Sequence, residues 1–374
     1  MMRIAIVATA GESLIKFRGH LIKEWVKRNC EVWCISIEDP CVMKQRISEL
    51  GAEYCQVSGN RTGTSIVDGI GMIHRYKKAF KKIKPDLCFL YMSKPVAFGG
   101  IAAIQCKIPR IVVFQTGLEI AFYSAGLKNL FIRQVLKILF KYVHGSCETV
   151  FFMCHEDERK MLKWGLVNPE QVCYVDGSGV DMNHFARTDL PGEAIVLMVA
   201  RLVWSKGIRE YLEAARLVKK KHPEVRFLLV GGIDENSEAL SKREVNELRK
   251  EGVIEYKGYH DDVRPYLEEC SIFVLPSYHE GKGTAILEAQ SVGRPVITTT
   301  APGCSETVIE GYNGLLVPVK NARMLADRIE YLVVHPEERQ RMADHAYQFC
   351  KKKFESGIIC SSICERLKIK EESK

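Results

Sequence analysis

Apolar runs alternate with amphipathic stretches along the whole chain. In the first half, five runs are apolar at nearly every position: MRIAIVA, EVWCISI, DLCFLYM, RIVVF and ETVFFM. Strands that are buried on both faces of a sheet show this continuous apolar pattern. Helical patterns such as LIKEWVKR lie between the runs. A repeated alternation of strand and helix predicts an α/β fold with a parallel, doubly wound sheet.

The pattern starts again after a turn-rich segment, DGSGVDMNHFARTDLPGEA. A second set of strands is predicted in AIVLMVAR, RFLLVGG, SIFVLPS and RPVITTT, with helices near 207–222, 238–251 and 284–292. With 374 residues, the chain exceeds the roughly 250 to 300 residues at which single cores stop growing. We therefore predict two Rossmann-like domains, at 1–180 and 181–350. A C-terminal helix at 351–374 is expected to pack back toward the first domain.

The cysteines and the N-terminal residues indicate the cellular compartment in which the protein is expected. Fourteen cysteines are scattered without the C-x2-C spacing of zinc sites, and several lie in apolar runs. We expect free thiols in a reducing cytoplasm. The first apolar run ends at Gly11 and Glu12, after about seven residues, which is too short for a secretion signal. The sequence has no uninterrupted run of about 18 apolar residues, so it predicts no membrane span.

The positive charge is confined to the first half of the chain. Residues 1–190 contain 26 Lys and Arg against 18 Asp and Glu, while residues 191–374 contain 28 of each. The net charge of +8 therefore belongs to the first half. This asymmetry indicates an anionic partner, either a membrane surface or a phosphorylated ligand. A basic surface without a partner is the alternative, and no nucleic acid is expected.

Two helical segments carry much of this charge. The segment HRYKKAFKKIK has an apolar stripe that is typical of a solvated helix packed on a sheet. In LFIRQVLKILFKYVHG, basic residues recur at four-residue intervals on a largely apolar helix, which suits a membrane interface and core packing equally. The candidate electropositive residues for the membrane or the acceptor are Lys77, Lys78, Lys81, Lys82, Arg133, Lys137 and Lys141.

In doubly wound sheets, ligands bind beyond the carboxyl ends of the strands. Arg201 and Lys206 follow the strand AIVLMVA and lie near the start of a helix, where free N–H groups favour anions. A diphosphate would fit there, because Arg binds two oxygens and Lys is a compact charge. Two ordinary surface cations are the alternative.

The loop after RFLLV is Gly231-Gly232-Ile233-Asp234-Glu235-Asn236. Its acidic and amide groups are expected to cap a helix that starts near Ser237. Contact with a ligand through the glycines is the alternative.

The loop after SIFVLPS is YHEGKGTAILEA, with Gly281 and Gly283 before a short helix from about Thr284. The start of that helix is again an anion site. If the interval between Glu280 and Glu288 were helical, they would lie about 12 Å apart, beyond the roughly 5 to 9.5 Å of glycosidase carboxylates. We therefore predict glutamates that bind hydroxyls of a polyol ligand. A solvent-facing Glu288 is the alternative.

The loop after the first strand, Thr9-Ala10-Gly11-Glu12-Ser13, leads into a helix but lacks a full G-x-G-x-x-G pattern. Gly11, Phe17 and Arg18 are the candidates for contact with an acceptor.

The run VLPSYHEGKGTAILEAQSVGRPVITTTAPGCSETVIEGYNGLLVPVKN resembles the signature region of family 4 of the retaining, GT-B-fold glycosyltransferases. ARLVWSKGIREYLEAA and GSGVDMNHF support the resemblance, which covers most of 170–335. VGGIDENS and FRGHLIKEW are similar to bacterial transferases that extend undecaprenyl-diphosphate-linked sugars, N-acetylgalactosaminyltransferases among them. The resemblance implies two Rossmann-like domains that face each other across a cleft.

The resemblance also implies a role for each site residue. Arg201 and Lys206 would clamp the donor diphosphate and stabilise the leaving nucleotide. Glu280 would contact hydroxyls of the donor sugar, and Glu288 the ribose. Beside Gly281, the backbone amides of Gly283 and Thr284 would bind the distal phosphate. The family usually retains anomeric configuration without a metal or another cofactor, and two cations with a helix end can neutralise a departing diphosphate.

We therefore expect a cytoplasmic transferase, peripheral at the inner membrane, that moves a hexose or N-acetylhexosamine from a UDP-sugar. The acceptor would be a polyprenyl-diphosphate-linked saccharide of bacterial surface glycan, capsule or O-antigen assembly. One alternative is a nucleotide-sugar epimerase of the same architecture, which needs a cluster of acids and histidines that the sequence does not show. The other is a non-catalytic, membrane-associated protein that binds nucleotide sugars.

The chain departs from the family pattern at several positions. Lys282 follows the Glu-Gly pair where the family has a large apolar residue, so it is either an added phosphate contact or a solvent-facing substitute. Thr300 and Ser305 stand where relatives often have an acid and an arginine, and Glu119 stands where the lipid-linked group has glycine. These changes bear on the donor sugar and the acceptor rather than on the reaction class.

Overall fold

A computed structural model describes residues 1–59, 66–117, 127–234 and 239–370. It divides into two units, one of residues 1–177 and 357–374 and one of residues 178–356. The observed boundary lies at 177, close to the predicted 180. Glu119 lies outside the described residues.

The apolar runs of the first unit form one parallel sheet. Its strands are β1 (Arg3–Val7), β2 (Glu31–Ser36), β3 (Glu53–Gln56), β4 (Leu87–Tyr91), β5 (Arg110–Gln115), β6 (Thr149–Phe152) and β7 (Val172–Tyr174). They are hydrogen-bonded in the order β3-β2-β1-β4-β5-β6-β7, and every pair is parallel. The order reverses at β1, as in a Rossmann fold.

Helices connect these strands. They are α1 (Gly11–Lys27), α2 (Pro40–Ser48), α3 (Ile66–Ile83), α4 (Gly100–Gln105), α5 (Leu127–His144) and α6 (His155–Lys163). A π-helical turn, Pro95–Gly99, leads into α4. The central strands are buried on both faces, which explains why they read as continuous apolar runs.

The second unit has its own parallel sheet. Its strands are β8 (Ile195–Val199), β9 (Arg226–Val230), β10 (Glu255–Gly258), β11 (Ile272–Leu275), β12 (Val296–Thr299) and β13 (Gly314–Val317). Their order is β10-β9-β8-β11-β12-β13. The helices of the second unit are α7 (Ile208–Lys219), α8 (Lys242–Glu251), α9 (Arg264–Glu269), α10 (Thr284–Val292), α11 (Ala322–Val334) and α12 (Pro336–Lys353).

The final helix, α13 (Ser356–Arg366), contributes to the core of the first unit. Its residues Ile359, Cys360 and Ile363 belong to the same buried cluster as Trp25 and Phe89. The cysteines of the chain are free, and most of them are buried. Buried thiols of this kind pack as small hydrophobic groups.

Candidate functional site

Four loops follow neighbouring strands at the carboxyl edge of the second sheet. They are 200–207 after β8, 231–234 after β9, 276–283 after β11 and 300–305 after β12. Strand ends of a parallel sheet share one edge, so the loops that contain Arg201, Lys206 and Glu280 meet there.

The loops after β8 and β11 are held together by their backbones. The Tyr278 N–H donates to the Ser205 carbonyl at 2.9 Å. Gly207 has φ +78°, and a Cβ on it would lie 2.1 Å from the Pro276 carbonyl oxygen. Only glycine permits this close approach together with a left-handed backbone. The short turn Trp204–Lys206 is therefore fixed against the loop that carries Glu280.

This arrangement brings Lys206 and Glu280 into an ion pair. Lys206 Nζ donates to Glu280 Oε1 at 2.5 Å. The side chains are only 16% and 14% exposed, so solvent screens their interaction less than it would at the surface. The sequence predicts a role for each residue but not their contact.

The loop of Glu280 is also held from its other side. The Glu280 N–H donates to the Pro302 carbonyl at 3.1 Å. Gly303 has φ +74°, and a Cβ there would lie 2.0 Å from the Glu280 carbonyl oxygen. The next residue, Cys304, is fully buried, and burial raises the pKa of its thiol to about 12. Glu280 is thus fixed by the neighbouring strand-end loops on both sides.

Arg201 forms a second ion pair, with Asp234 at the end of β9. Arg201 Nη1 lies 2.5 Å from Asp234 Oδ2, and its side chain is 61% exposed. The prediction that Asp234 caps the next helix is wrong. Helix α8 begins at Lys242, and Ser241 forms its capping box with Glu244. The other two residues of the predicted cap, 235 and 236, lie outside the described residues.

The helix α10 begins at Thr284, as predicted. Gly283 precedes it with φ +57° and ψ 59°, and no side chain caps the helix. Gly283 is buried, while Gly281 and Thr284 are half-buried. The first amide N–H groups of a helix have no intrahelical partner and favour anions. Glu288 is half-buried on the second turn of α10, so both its predicted contact with a polyol ligand and the solvent-facing alternative stay open.

Lys282 is not the solvent-facing substitute that the sequence allows. Its side chain is 2% exposed, and its Nζ donates to Glu306 Oε2 at 2.7 Å. The sequence did not predict this partner. Glu306 lies 24 positions away, and no local pattern connects the two residues.

The acceptor candidates of the first unit occupy different environments. Gly11 is buried, and its N–H donates to Glu38 Oε2 at 2.8 Å. Phe17 is 37% exposed. Arg18 is only 1% exposed, and its guanidinium lies over the ring of Phe114 at 3.7 Å. Burial lowers the pKa of Arg18. The contact of Arg18 with an acceptor stays a prediction.

The basic residues of α3 lie on a helix whose apolar stripe packs inward, as predicted. Tyr76, Phe80 and Ile83 are buried. Lys77 is half-buried, and Lys78, Lys81 and Lys82 are exposed.

The helix α5 packs into the core on one side and exposes apolar residues on the other. Phe140 and Val143 are fully buried in the core. The opposite side exposes large apolar residues: Leu130 at 47%, Phe131 at 62%, Ile138 at 70% and Tyr142 at 53%. Its basic residues differ in exposure, with Lys141 exposed and Arg133 and Lys137 half-buried. Lys137 Nζ lies 4.3 Å from the centre of the Trp164 ring.

Among the described helices, none is both long enough and apolar enough to cross a bilayer.

Comparison with known proteins gives matches over both halves. The family model "Glycosyl transferases group 1" matches residues 181–349, and "Glycosyl transferase 4-like" matches residues 3–146. Both models describe glycosyltransferases, so the epimerase alternative gains no support.

Among curated proteins, the chain is 29% identical over 361 residues to the N,N'-diacetylbacillosaminyl-diphospho-undecaprenol alpha-1,3-N-acetylgalactosaminyltransferase of Campylobacter jejuni, with 93% of each chain covered. It is 28% identical to the UDP-Gal:alpha-D-GlcNAc-diphosphoundecaprenol alpha-1,3-galactosyltransferase of Escherichia coli, with 68% of each chain covered. Among solved structures, Anabaena HepE in complex with UDP and glucose superposes with a TM-score of 0.79 at 19% identity, covering 98% of this chain and 100% of that one. This structural likeness shows the fold.

Proposed function

Because the chain belongs to the family 4, GT-B-fold glycosyltransferases, we propose that it transfers a hexose or N-acetylhexosamine from a UDP-sugar to a polyprenyl-diphosphate-linked saccharide. The observation that carries this proposal is the Lys206–Glu280 ion pair beside Arg201 and the start of α10. A cation for phosphate and a carboxylate for sugar hydroxyls are already in contact.

On binding, the donor would break the two internal ion pairs, Lys206–Glu280 and Arg201–Asp234, and contact these residues itself. Lys206 and Arg201 would leave Glu280 and Asp234 and bind the diphosphate, while the amides of Gly283 and Thr284 bind the distal phosphate. Glu280 would then accept hydrogen bonds from hydroxyls of the donor sugar, and Glu288 from the ribose.

In the transfer step, the acceptor hydroxyl attacks the anomeric carbon, and the bond from that carbon to the phosphate oxygen breaks. The electron pair leaves with UDP, and the hydroxyl proton passes to the departing phosphate. Attack from the face that the leaving group occupies retains the configuration. Two cations and a helix N-terminus supply the positive charge that the leaving diphosphate needs, so we propose that no divalent metal takes part.

Two observations support a lipid-linked acceptor. The related proteins of Campylobacter jejuni and Escherichia coli carry diphosphoundecaprenol acceptors in their names. The net charge of +8 lies in the first half of the chain, which suits an anionic acceptor and an anionic bilayer. We propose that the protein works in bacterial surface glycan assembly at the cytoplasmic face of the inner membrane. There, α5 would lie in the lipid interface through its exposed apolar side.

The test combines binding with turnover. A thermal-shift screen of nucleotide sugars should show stabilisation by UDP-sugars, because a ligand of the folded state raises the melting temperature. The stabilising donor is then incubated with polyprenyl-diphosphate-linked N-acetylhexosamine, and a product with one more sugar is expected. Stabilisation without turnover on any such acceptor would favour the non-catalytic alternative. No stabilisation by any nucleotide sugar would contradict the proposal.

A further inference from the structure

Lys282 lies between two glycines directly before α10, yet its side chain is almost completely buried. Its Nζ donates to Glu306 Oε2 at 2.7 Å, and the Glu306 side chain is 18% exposed. Glu306 belongs to the short turn Ser305–Thr307 after β12. The ion pair therefore joins the loop before α10 to the turn after the neighbouring strand.

The turn of Glu306 is itself anchored. The Thr307 carbonyl accepts hydrogen bonds from Gln290 Nε2 at 2.8 Å and from Asn313 Nδ2 at 3.1 Å. Both of these side chains are fully buried. Thr307 Oγ1 also donates to the Cys304 carbonyl at 2.6 Å. Glu306 is therefore presented from a fixed turn, and Lys282 is held by it.

The ion pair complements the contact at the other end of the same loop. The Glu280 backbone is bonded to Pro302 and packs against Gly303. Lys282 is the second attachment, one residue before Gly283. The loop 280–283 is consequently fixed at both ends to 302–306.

The position of the charge also requires an explanation. The start of a helix has a positive electrostatic potential, so a cation beside the start of α10 is unfavourable by itself. Burial of an ammonium group adds a desolvation cost unless an anion is paired with it. Apolar residues of similar size often stabilise a fold as well as a buried ion pair does. Stability alone therefore does not explain a charged pair at this location, whereas a need to fix the turn before α10 does.

We propose that Lys282 and Glu306 are a positioning pair for the donor phosphate. The pair holds the turn 281–284 so that the N–H groups of Gly283 and Thr284 face the distal phosphate. Lys282 acts through the turn and does not contact the phosphate itself. This inference rests on the proposed function, and it adds two positioning residues to the donor site.

The experiment measures UDP binding by calorimetry and donor kinetics for Lys282→Met, Glu306→Gln, the double variant and Lys282→Arg. Lys282→Met and Glu306→Gln should each weaken UDP binding about tenfold, the effect expected when one stabilising interaction is lost. KM for the donor should rise in parallel while kcat stays within about threefold. The double variant should bind UDP no more weakly than the single variant with the lower affinity, because the two changes remove one and the same interaction. Lys282→Arg should keep most of the affinity.

Two comparisons make the outcome decisive. Lys221→Met removes an exposed ion pair with Glu330 in the same unit and should leave UDP binding unchanged. Lys206→Met removes the proposed phosphate ligand. If Lys206→Met weakens UDP binding but Lys282→Met and Glu306→Gln do not, the positioning role is wrong and the proposed function stands. If the wild-type protein does not bind UDP, the proposed donor itself fails.

If the losses of UDP affinity in the two single variants add up in the double variant, the inference is also wrong, because additive losses show two independent effects. A lower melting temperature with unchanged UDP affinity would indicate a purely structural pair. If Lys282→Met does not fold, Glu306→Gln and the double variant decide the same question.

Discussion

Lys206 and Glu280 form an ion pair of 2.5 Å, although 74 positions separate them in the sequence. They lie at the ends of β8 and β11, which are neighbours in the second sheet. Each side chain holds the other in place before a donor arrives. On binding, the proposed donor takes Lys206 for its diphosphate and Glu280 for its sugar hydroxyls. We therefore expect substitution of Lys206 to change affinity for the donor and substitution of Glu280 to change turnover.

We expect Glu280→Ala to lower kcat by about 100-fold or more, the order seen when a preorganised polar group is removed from a transition state. UDP binding should be retained or become tighter, because Lys206 loses its internal partner and remains available to the diphosphate. Donor kinetics and calorimetry with UDP measure the two effects. Glu247→Ala, at a side chain that is 59% exposed, is the control and should change neither. Full turnover in Glu280→Ala would remove this residue from the reaction.

Substitution of Arg201 tests the diphosphate clamp, which is the proposed binding of the donor diphosphate by Arg201 and Lys206. Arg201→Ala should weaken UDP binding about tenfold or more, since a charge-assisted hydrogen bond contributes roughly 1.5 to 3 kcal/mol. Asp234→Asn should leave binding unchanged or tighter, because it releases Arg201 from its ion pair. Arg243→Ala removes an arginine that is 88% exposed and is the matched control. Full activity in Arg201→Ala combined with Lys206→Ala would refute the clamp.

The sequence predicts the central strands and misses three of the four edge strands for the same physical reason, which does not apply to the fourth, the apolar and mostly buried β13. Central strands are buried on both faces and read as apolar runs, whereas β3, β7 and β10 have the sequences EYCQ, VCY and EYKG. These strands are short, half-exposed and partly polar, so no hydrophobic pattern marks them. The start of α10 was predicted at Thr284 because glycines precede an apolar helical run.

The site was predictable as a set of residue types but not as a set of contacts. Strand-end loops indicated where Arg201, Lys206 and Glu280 would lie. Their partners could not be predicted, because the pairs Lys206–Glu280 and Lys282–Glu306 join separate loops through the sheet order. The burial of Arg18 was equally unpredictable, since a charged residue on an amphipathic helix is normally exposed and this one is buried over the ring of Phe114.

Gly303 tests whether the contact with the Glu280 loop matters for activity. A Cβ at Gly303 would lie 2.0 Å from the Glu280 carbonyl oxygen, while at Gly252, which is also left-handed, it would meet nothing within 4 Å. Gly252→Ala should cost about 1 to 2 kcal/mol for the backbone alone. Gly303→Ala should cost roughly 1 to 3 kcal/mol more because of the added overlap, and it should also reduce turnover by moving Glu280. Urea unfolding and donor kinetics on both variants measure this, and equal effects would contradict it.

His144 predicts a dependence of stability on pH. It is fully buried at the end of α5, its Nδ1 lies 2.9 Å from the Leu166 carbonyl oxygen, and burial lowers its pKa from 6.5 to about 4. Between these values the unfolded chain binds a proton and the folded protein does not, so stability is complete above pH 6.5 and falls as the pH falls toward 4. This group alone should remove up to about 3 kcal/mol.

His144→Asn keeps a hydrogen-bond donor and removes the titration. Urea unfolding from pH 7 to pH 4 should show a steeper loss of stability in the wild-type protein than in this variant. Identical slopes would show that His144 does not carry the effect.

The exposed apolar side of α5 predicts binding to anionic vesicles. Ile138 is 70% exposed, so Ile138→Ser should leave the fold intact, and it should weaken vesicle binding roughly tenfold because a buried isoleucine contributes about 1.5 to 3 kcal/mol. Lys141→Gln should reduce the salt dependence of binding instead, since its charge acts through the surface potential. Ile309→Ser, at a position 50% exposed in the second unit, is the control. Co-sedimentation with vesicles that contain anionic lipid measures all three, and absence of wild-type binding at low salt would refute the membrane contact.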